Sequence, residues 1–356
     1  MIARKEARFL MKIRALAVLF SLTLPALAGC GGAAPLPQSL PSPLGDDRLT
    51  LPEKAGAQNV YWTLFASASY PQVEFTRVPL TEQSTITNVG SSSKNGLGYT
   101  SGMAIDSSGR LWILSYGNGG GTPTNALVFK LPLKVTSVPL YTFVLSGTQA
   151  ASALAFDPSG NLWVSSVGNH RFLKYAGPFK KSGTIKPAKT IKGGPFYSYS
   201  FAFDTKGTLY ASIANSTGTD SIGVSRPPYG RKNSYFLNGL SSPGGVIFDK
   251  DGNLYASGMV ASGNVAIVRY NSDHLKNGDT PSIVDSSGLQ PNAYVAAFAF
   301  TAKGDLYTAN CGAPGTVGIF VYPTSKKKFG PKLAPSLYYS NTYINDAGCA
   351  WGLAIE

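Results

Sequence analysis

Imidazoles and thiols, the side chains that bind soft metals, are few in this 356-residue chain: two histidines, His170 and His274, and three cysteines, Cys30, Cys311 and Cys349. No C-x-x-C pair occurs, so the soft ligands fall short of a four-ligand structural zinc or iron–sulfur site. Nucleophile-elbow, phosphate-loop and zincin signatures are missing as well. His170 is the one weak catalytic candidate, as an acid or base; the competing reading is a loop residue. His274 is expected to be solvated. Asp249 and Asp251 echo a calcium loop, but no Glu stands at the twelfth position, and the other copies of the segment put Ser, Pro, Thr or Lys between. A tight turn is the better reading.

The elements that position these residues follow from composition and repetition. Charged residues make up only 14% of the chain, hydrophobic ones 43%, and 40 Gly and 24 Pro punctuate it, which indicates an all-β protein of many short strands. One phrase recurs: GMAID then SSGRLW, ALAFD then PSGNLW, FAFDTKGTLY, VIFDKDGNLY, FAFTAKGDLY, and finally GLAIE. Its aligned positions Asp106, Asp157, Asp204, Asp249, Thr301 and Glu356 are 51, 47, 45, 52 and 55 residues apart. The second half missing from the last copy lies near the other end, where Asn59, Val60 and Tyr61 match Asn161, Leu162 and Trp163. The repeat therefore closes into a ring of six units over residues 59–356, each about 50 residues, the size of a four-stranded propeller blade. The C-terminal inner strand is expected to pair with N-terminal strands and remove the open edge. Asp followed three residues later by Gly reads as a turn, and the recurring aromatic (Tyr61, Trp112, Trp163, Tyr210, Tyr255, Tyr307) reads as inter-blade packing.

These repeats resemble six-bladed β-propellers of the NHL-repeat, TolB-like and gluconolactonase-like group, and GNHRF at residues 168–172 is close to the NHL phrase. The resemblance implies fold more than activity, because such propellers include lactonases, lyases and pure binding scaffolds. In this architecture the loops between second and third strands surround the channel mouth. They carry Tyr116, Asn118, Asn169, His170, Asn215, Asp220 and Asn310, with Asn345 and Asp346 preceding the last inner strand. Gluconolactonase-like enzymes hold a divalent cation there. Asn169, Asn215 and Asp346 are the weak metal candidates, but the carboxylates are too few to match the family set, and no cofactor is expected. Cys311 and Cys349 fall on the same face of adjacent blades, so a disulfide is expected between them.

Residues 11–30 read MKIRALAVLFSLTLPALAGC: a basic start, an apolar run and a small-residue site ending at Cys30. This resembles a bacterial lipoprotein signal. It implies a diacylglyceryl thioether on Cys30, cleavage before it and acylation of the new amine, for example with palmitate. Met11 is by itself a sufficient start. Gly31 rather than Asp after the cysteine points to the outer membrane if the cell is Gram-negative. The leader's Arg4, Lys5, Arg8, Lys12 and Arg14 against Glu6 reduce the net charge from +13 to +9 after cleavage. The expected organisation is a signal peptide over 1–29, a Pro/Ser/Gly-rich tether over 30–58 and the propeller over 59–356. The expected partners are the membrane, through the anchor, and an envelope protein or anionic polymer; nucleic acid is a poor partner for an exported lipoprotein, and a monomer is expected. The leading reading is a lipid-anchored envelope binding or scaffolding module acting through its mouth. A metal-dependent lactonase, hydrolase or lyase is the alternative, and a ligand-free spacer is a third reading.

Overall fold

The computed structural model describes residues 58–64, 71–90, 92, 94–116, 124–192, 197–214, 221–285, 289, 294–312, 317–331, 333–341, 344 and 349–356. Residues 1–57, which hold the expected leader, Cys30 and all but the last residue of the expected tether, lie outside these residues. Strands β1 (Asn59–Leu64), β2 (Pro71–Arg77) and β3 (Thr87–Gly90) are the outer three of blade one. Blade two is β4 (Tyr99–Ile105), β5 (Arg110–Tyr116), β6 (Thr124–Lys130) and β7 (Tyr141–Leu145). Blade three has β8 (Ala151–Phe156), β9 (Leu162–Ser166) and β10 (Arg171–Tyr175). A short strand, β11 (Gly183–Ile185), then crosses to the neighbouring blade before β12 (Lys189–Lys192) completes blade three. Blade four is β13 (Tyr197–Phe203), β14 (Leu209–Ala214), β15 (Ser221–Ser225) and β16 (Ser234–Leu237). Blade five is β17 (Val246–Phe248), β18 (Leu254–Met259), β19 (Val265–Tyr270) and β20 (Ile283–Asp285). Blade six is β21 (Tyr294–Phe300), β22 (Leu306–Cys311), β23 (Gly318–Tyr322) and β24 (Leu337–Tyr339). Finally β25 (Ala350–Ile355) returns to blade one as its inner strand, pairing antiparallel with β1 from Val60–Ile355 to Leu64–Ala350.

The expected six-bladed propeller of four-stranded antiparallel blades is therefore the observed fold, with neighbouring inner strands in contact all the way round. Closure is reinforced at both ends of the β25–β1 pair. The carboxylate of Glu356 accepts from Asn59 Nδ2 (2.9 Å) and the Tyr61 hydroxyl (3.0 Å), and Gly352 N–H donates to Thr63 Oγ1 (2.7 Å). One feature departs from the simple repeat: β11 adds to blade two as a fifth strand, parallel to β7. The lysine-rich segment after β10 thus contributes two strands, β11 to blade two and β12 to blade three.

The repeated phrase works as a turn. Asp106 Oδ1 accepts the N–H groups of Ser108 and Arg110, Asp157 those of Ser159 and Asn161, Asp204 those of Lys206 and Thr208, and Asp249 those of Asp251 and Asn253. The glycine three positions on, such as Gly109 at φ +71°, supplies the left-handed residue. The second carboxylate oxygen then caps the recurring indole: Trp112 Nε1 donates to Asp106 at 2.8 Å and Trp163 Nε1 to Asp157 at 2.9 Å. These rings pack on the following blade, Trp112 against Phe156 and Phe179, Trp163 against Phe203 and Tyr229, Tyr210 against Phe248, and Tyr255 against Phe300 and Phe329. One residue pair thus ties the within-blade turn to the between-blade core.

A second periodic signal follows from the axis. Four residues before each turn position stands a small side chain: Gly102, Ala153, Ser200, Gly245, Ala297 and Gly352. The inner strands crowd together there. A Cβ on Gly102 would sit 3.0 Å from Ala153 Cα, and one on the neighbouring Gly244 would sit 2.4 Å from Val295 O and 2.5 Å from Ser257 Oγ. Small hydroxyls sew the gap: Thr63 Oγ1 donates to Ser101 O, Ser101 Oγ to Ala151 O, Ser152 Oγ to Ser198 O and Ser257 Oγ to Val295 O. Since the obstacle at Gly244 is backbone rather than a movable side-chain tip, Gly244→Ala is expected to lower unfolding free energy by about 1–3 kcal/mol. Gly90→Ala, where a Cβ meets nothing within 4 Å, is expected to be near neutral in the same denaturant titration.

Candidate functional site

The inner strands begin, and the second strands end, on one face of the ring, as the pairs Tyr99–Tyr116, Ala151–Ser166 and Tyr294–Cys311 show. That face is the channel mouth. The turn carboxylates, the third-to-fourth strand connections and Gln58, where the chain enters the ring, lie on the other face. Of the expected mouth residues, Asn118, Asn215, Asp220, Asn345 and Asp346 lie outside the described residues. Tyr116, Asn169, His170, Asn310, Cys311 and Cys349 are described.

Tyr116 ends β5 with its ring 4% exposed, and burial pushes its hydroxyl above the ordinary tyrosine range. Asn169 closes a 3₁₀ turn (Val167–Asn169) and donates from Nδ2 to Gly147 O at 2.9 Å, holding the loop onto the end of β7. His170 follows in a left-handed conformation (φ +54°), with its N–H on Val167 O. Its backbone therefore serves as the C-cap of that turn, a structural duty the NHL-like phrase conceals. Asn310 is fully buried in β22 and accepts from Thr308 Oγ1 at 2.8 Å. Cys311 and Cys349 are joined by a disulfide (S–S 2.08 Å) between the end of β22 and the residue before β25, as the topology led one to expect. It lies against Trp351 and Ala296 and ties blade six to the strand that closes blade one.

On the opposite face the repeat carboxylates are engaged. Asp157 is the most heavily used, holding Lys174 Nζ (2.9 Å), Trp163 Nε1 and the Asn161 amide. Burial opposes its charge, but the Lys174, Trp163 and Asn161 donors together outweigh it and hold the carboxyl below the usual range. One buried acid went unsuspected in the sequence. Glu74 is fully buried at the seam of blades six and one, accepting from Trp62 Nε1 (2.7 Å) and Asn341 Nδ2 (2.9 Å), and desolvation raises its pKa. Its sequence signal is a charged residue between the apolar Val73 and Phe75. Trp62 stands one position after the aromatic of the other blades, so it takes an acid from the next strand instead of one from the turn. Among the described residues no group of three His, Cys, Asp or Glu side chains gathers.

Set beside known proteins, this ring is familiar as architecture. No protein-family model matches the sequence, and no curated protein does. Among solved structures, a candidate 6-phosphogluconolactonase from Bacteroides uniformis is 14% identical, at a TM-score of 0.54 over 80% of this chain and 83% of its own. A second candidate 6-phosphogluconolactonase, from Bacteroides fragilis, is 13% identical at a TM-score of 0.52 over 82% and 84%. Virginiamycin B lyase from Staphylococcus aureus is 14% identical at a TM-score of 0.41 over 75% and 88%. At such identities the likeness establishes the β-propeller fold and nothing finer.

Two outcomes follow from this geometry. Asp157→Asn should cost about 1–3 kcal/mol at neutral pH, because Lys174 and Trp163 lose a charged acceptor. A carboxyl whose folded pKa is depressed contributes stability above its unfolded pKa and loses it as pH falls through the folded one, so the gap between the variant and the parent should close in acid melts below the ordinary carboxylate range. Thiol titration of the unfolded, unreduced protein should leave Cys311 and Cys349 unreactive, and Cys311→Ser with Cys349→Ser, which opens a 38-residue loop, should cost about 3–4 kcal/mol.

Proposed function

We propose that this chain is an exported, lipid-anchored envelope protein whose propeller is a binding module, recognising its partner through the channel mouth. The observation that carries this reading is the division of labour between the two faces. The repeat carboxylates Asp106, Asp157, Asp204, Asp249 and Glu356 are bound into turns or the closure on the face away from the mouth. Of the described mouth residues, Tyr116, Asn310 and the disulfide are buried in the strand ends and His170 caps a 3₁₀ turn, so this face is a preformed frame that supports recognition by shape. The LAGC segment ending at Cys30 supports the anchor, and the disulfide suits an oxidising compartment outside the cytoplasm.

The second reading is a metal-assisted lactonase or lyase, favoured by the two candidate 6-phosphogluconolactonases with TM-scores above 0.5. In it Asn169, Asn215 and Asp346 would hold a divalent cation through hard oxygen ligands. Elemental analysis of the purified protein with melts in and out of EDTA separates the two. A metal held only by the folded ring must raise its melting temperature, so a chelator-indifferent, metal-free ring is expected for the binding module. About one divalent ion per chain with a melt lowered by EDTA would replace it with the enzyme.

A further inference from the structure

The net charge of the ring is concentrated in blades two and three. Over positions 99–192 ten basic residues face two acids, Asp106 and Asp157, which Arg110 and Lys174 already neutralise. The rest of residues 59–356 carries 14 basic and 12 acidic side chains and is nearly balanced. The excess is also concentrated in height. Lys130, Lys134, Lys180, Lys181 and Lys186 are exposed in or beside the third-to-fourth strand connections of these two blades, on the face away from the mouth. None forms an ion pair with a carboxylate among the described residues.

The most exposed large apolar side chains among the described residues share this location. Val135 (59%), Val138 (56%) and Leu140 (48%) all stand in the connection between β6 and β7. The lysines of blade three are brought toward it: Arg110 Nη1 donates to Phe179 O, and Thr142 N–H to Ser182 Oγ, so Lys180 and Lys181 lie between two contacts with blade two, the second of them two positions after Leu140. The strand β11, which runs along β7, carries this chain across. The blade-two connection thus carries three exposed aliphatic side chains with Lys134, and the adjoining segment of blade three carries Lys180 and Lys181, none of them ion-paired among the described residues.

We infer that this surface docks onto a lipid bilayer bearing anionic headgroups, the lysines meeting phosphates while Val135, Val138 and Leu140 enter the acyl boundary. Charge complementarity selects an anionic partner, and the aliphatic side chains select lipid over an anionic polysaccharide, for which stacking aromatics would be the fitting neighbours. The direction of the chain agrees: Gln58, 28 positions after Cys30, enters the ring on this same face. The inference deepens the anchored-module reading, since it places the ring with its mouth turned away from the membrane.

The test uses the processed full chain in phosphatidylcholine vesicles with and without phosphatidylglycerol, carrying an environment-sensitive fluorophore at Val138→Cys and, in a second preparation, at Lys327→Cys. Lys327 is exposed on the same face in blade six, in a connection whose described residues include no exposed large aliphatic side chain. The expected result is a blue shift and quenching by brominated lipid at position 138 only with phosphatidylglycerol, weakened at least about tenfold by Lys134→Glu with Lys180→Glu and Lys181→Glu, and no such change at 327. An unchanged thermal melt certifies the fold of the charge-reversed chain. No change at 138, an equal change at 327, or a response to a soluble anionic polysaccharide in place of vesicles would overturn the inference. The anchor is judged separately by label stoichiometry, for an acylated Cys30 takes no fluorophore: the unsubstituted chain takes none if anchored and one if not, and serves as the background for position 138 in either case.

Discussion

Everything in this protein rests on one non-covalent strand pair. A propeller is a closed sheet only if its last strand finds its first, and here β25 must find β1 across nearly the whole ring. The side chains gathered at that seam are the ones that make such a pairing specific: Glu356 on Asn59 and Tyr61, Thr63 on Gly352, Glu74 on Asn341, and the disulfide holding β25 to β22. Pairing with β25 covers the inner edge of β1, which would otherwise be a template for aggregation, and leaves only the short outer edges of the blades. The covalent clasp adds to the closure without replacing it, since it constrains the start of β25 while hydrogen bonds align the rest.

Around that seam a single local device is repeated and varied. A carboxylate that accepts two backbone N–H groups fixes the turn, and its remaining oxygen orients an indole into the next blade in blades two and three. Where the ring is Tyr rather than Trp, the hydroxyl finds other partners, as Tyr307 does in accepting from Leu80 N–H. Desolvation of these phenols raises their pKa, to about 12 at Tyr255, so they remain neutral throughout the physiological range and serve as packing with a polar tip. The carboxylates are consequently committed to structure, which is why a chain with four well-formed Asp turns offers little acid–base chemistry from them.

The two faces that result have different characters. One gathers strand ends with phenol, amide and disulfide groups around the channel. The other gathers turn carboxylates held by backbone N–H groups, two of them also by Arg110 and Lys174, together with lysines of the outer connections that form no ion pair among the described residues. This polarity arises from blade geometry, because second-to-third loops and third-to-fourth connections must emerge on opposite sides of an antiparallel sheet.

Much of this was readable from the residues alone. A phrase returning every 45 to 55 residues, split between the two ends, determined blade count, closure and the turn chemistry, because those depend on short-range patterns that survive in one dimension. The Cys311–Cys349 pairing followed from the same topology. The tertiary structure decided what depends on distance from the axis or on a neighbouring blade. The small residue four places before each turn has meaning only where six strands converge. Glu74 is acceptable inside the protein only because Trp62 and Asn341 arrive from elsewhere with two N–H donors. The strand β11 joins blade two because that blade's outer edge was open beside it, and no pattern within Gly183, Thr184 and Ile185 could declare a partner some forty residues earlier.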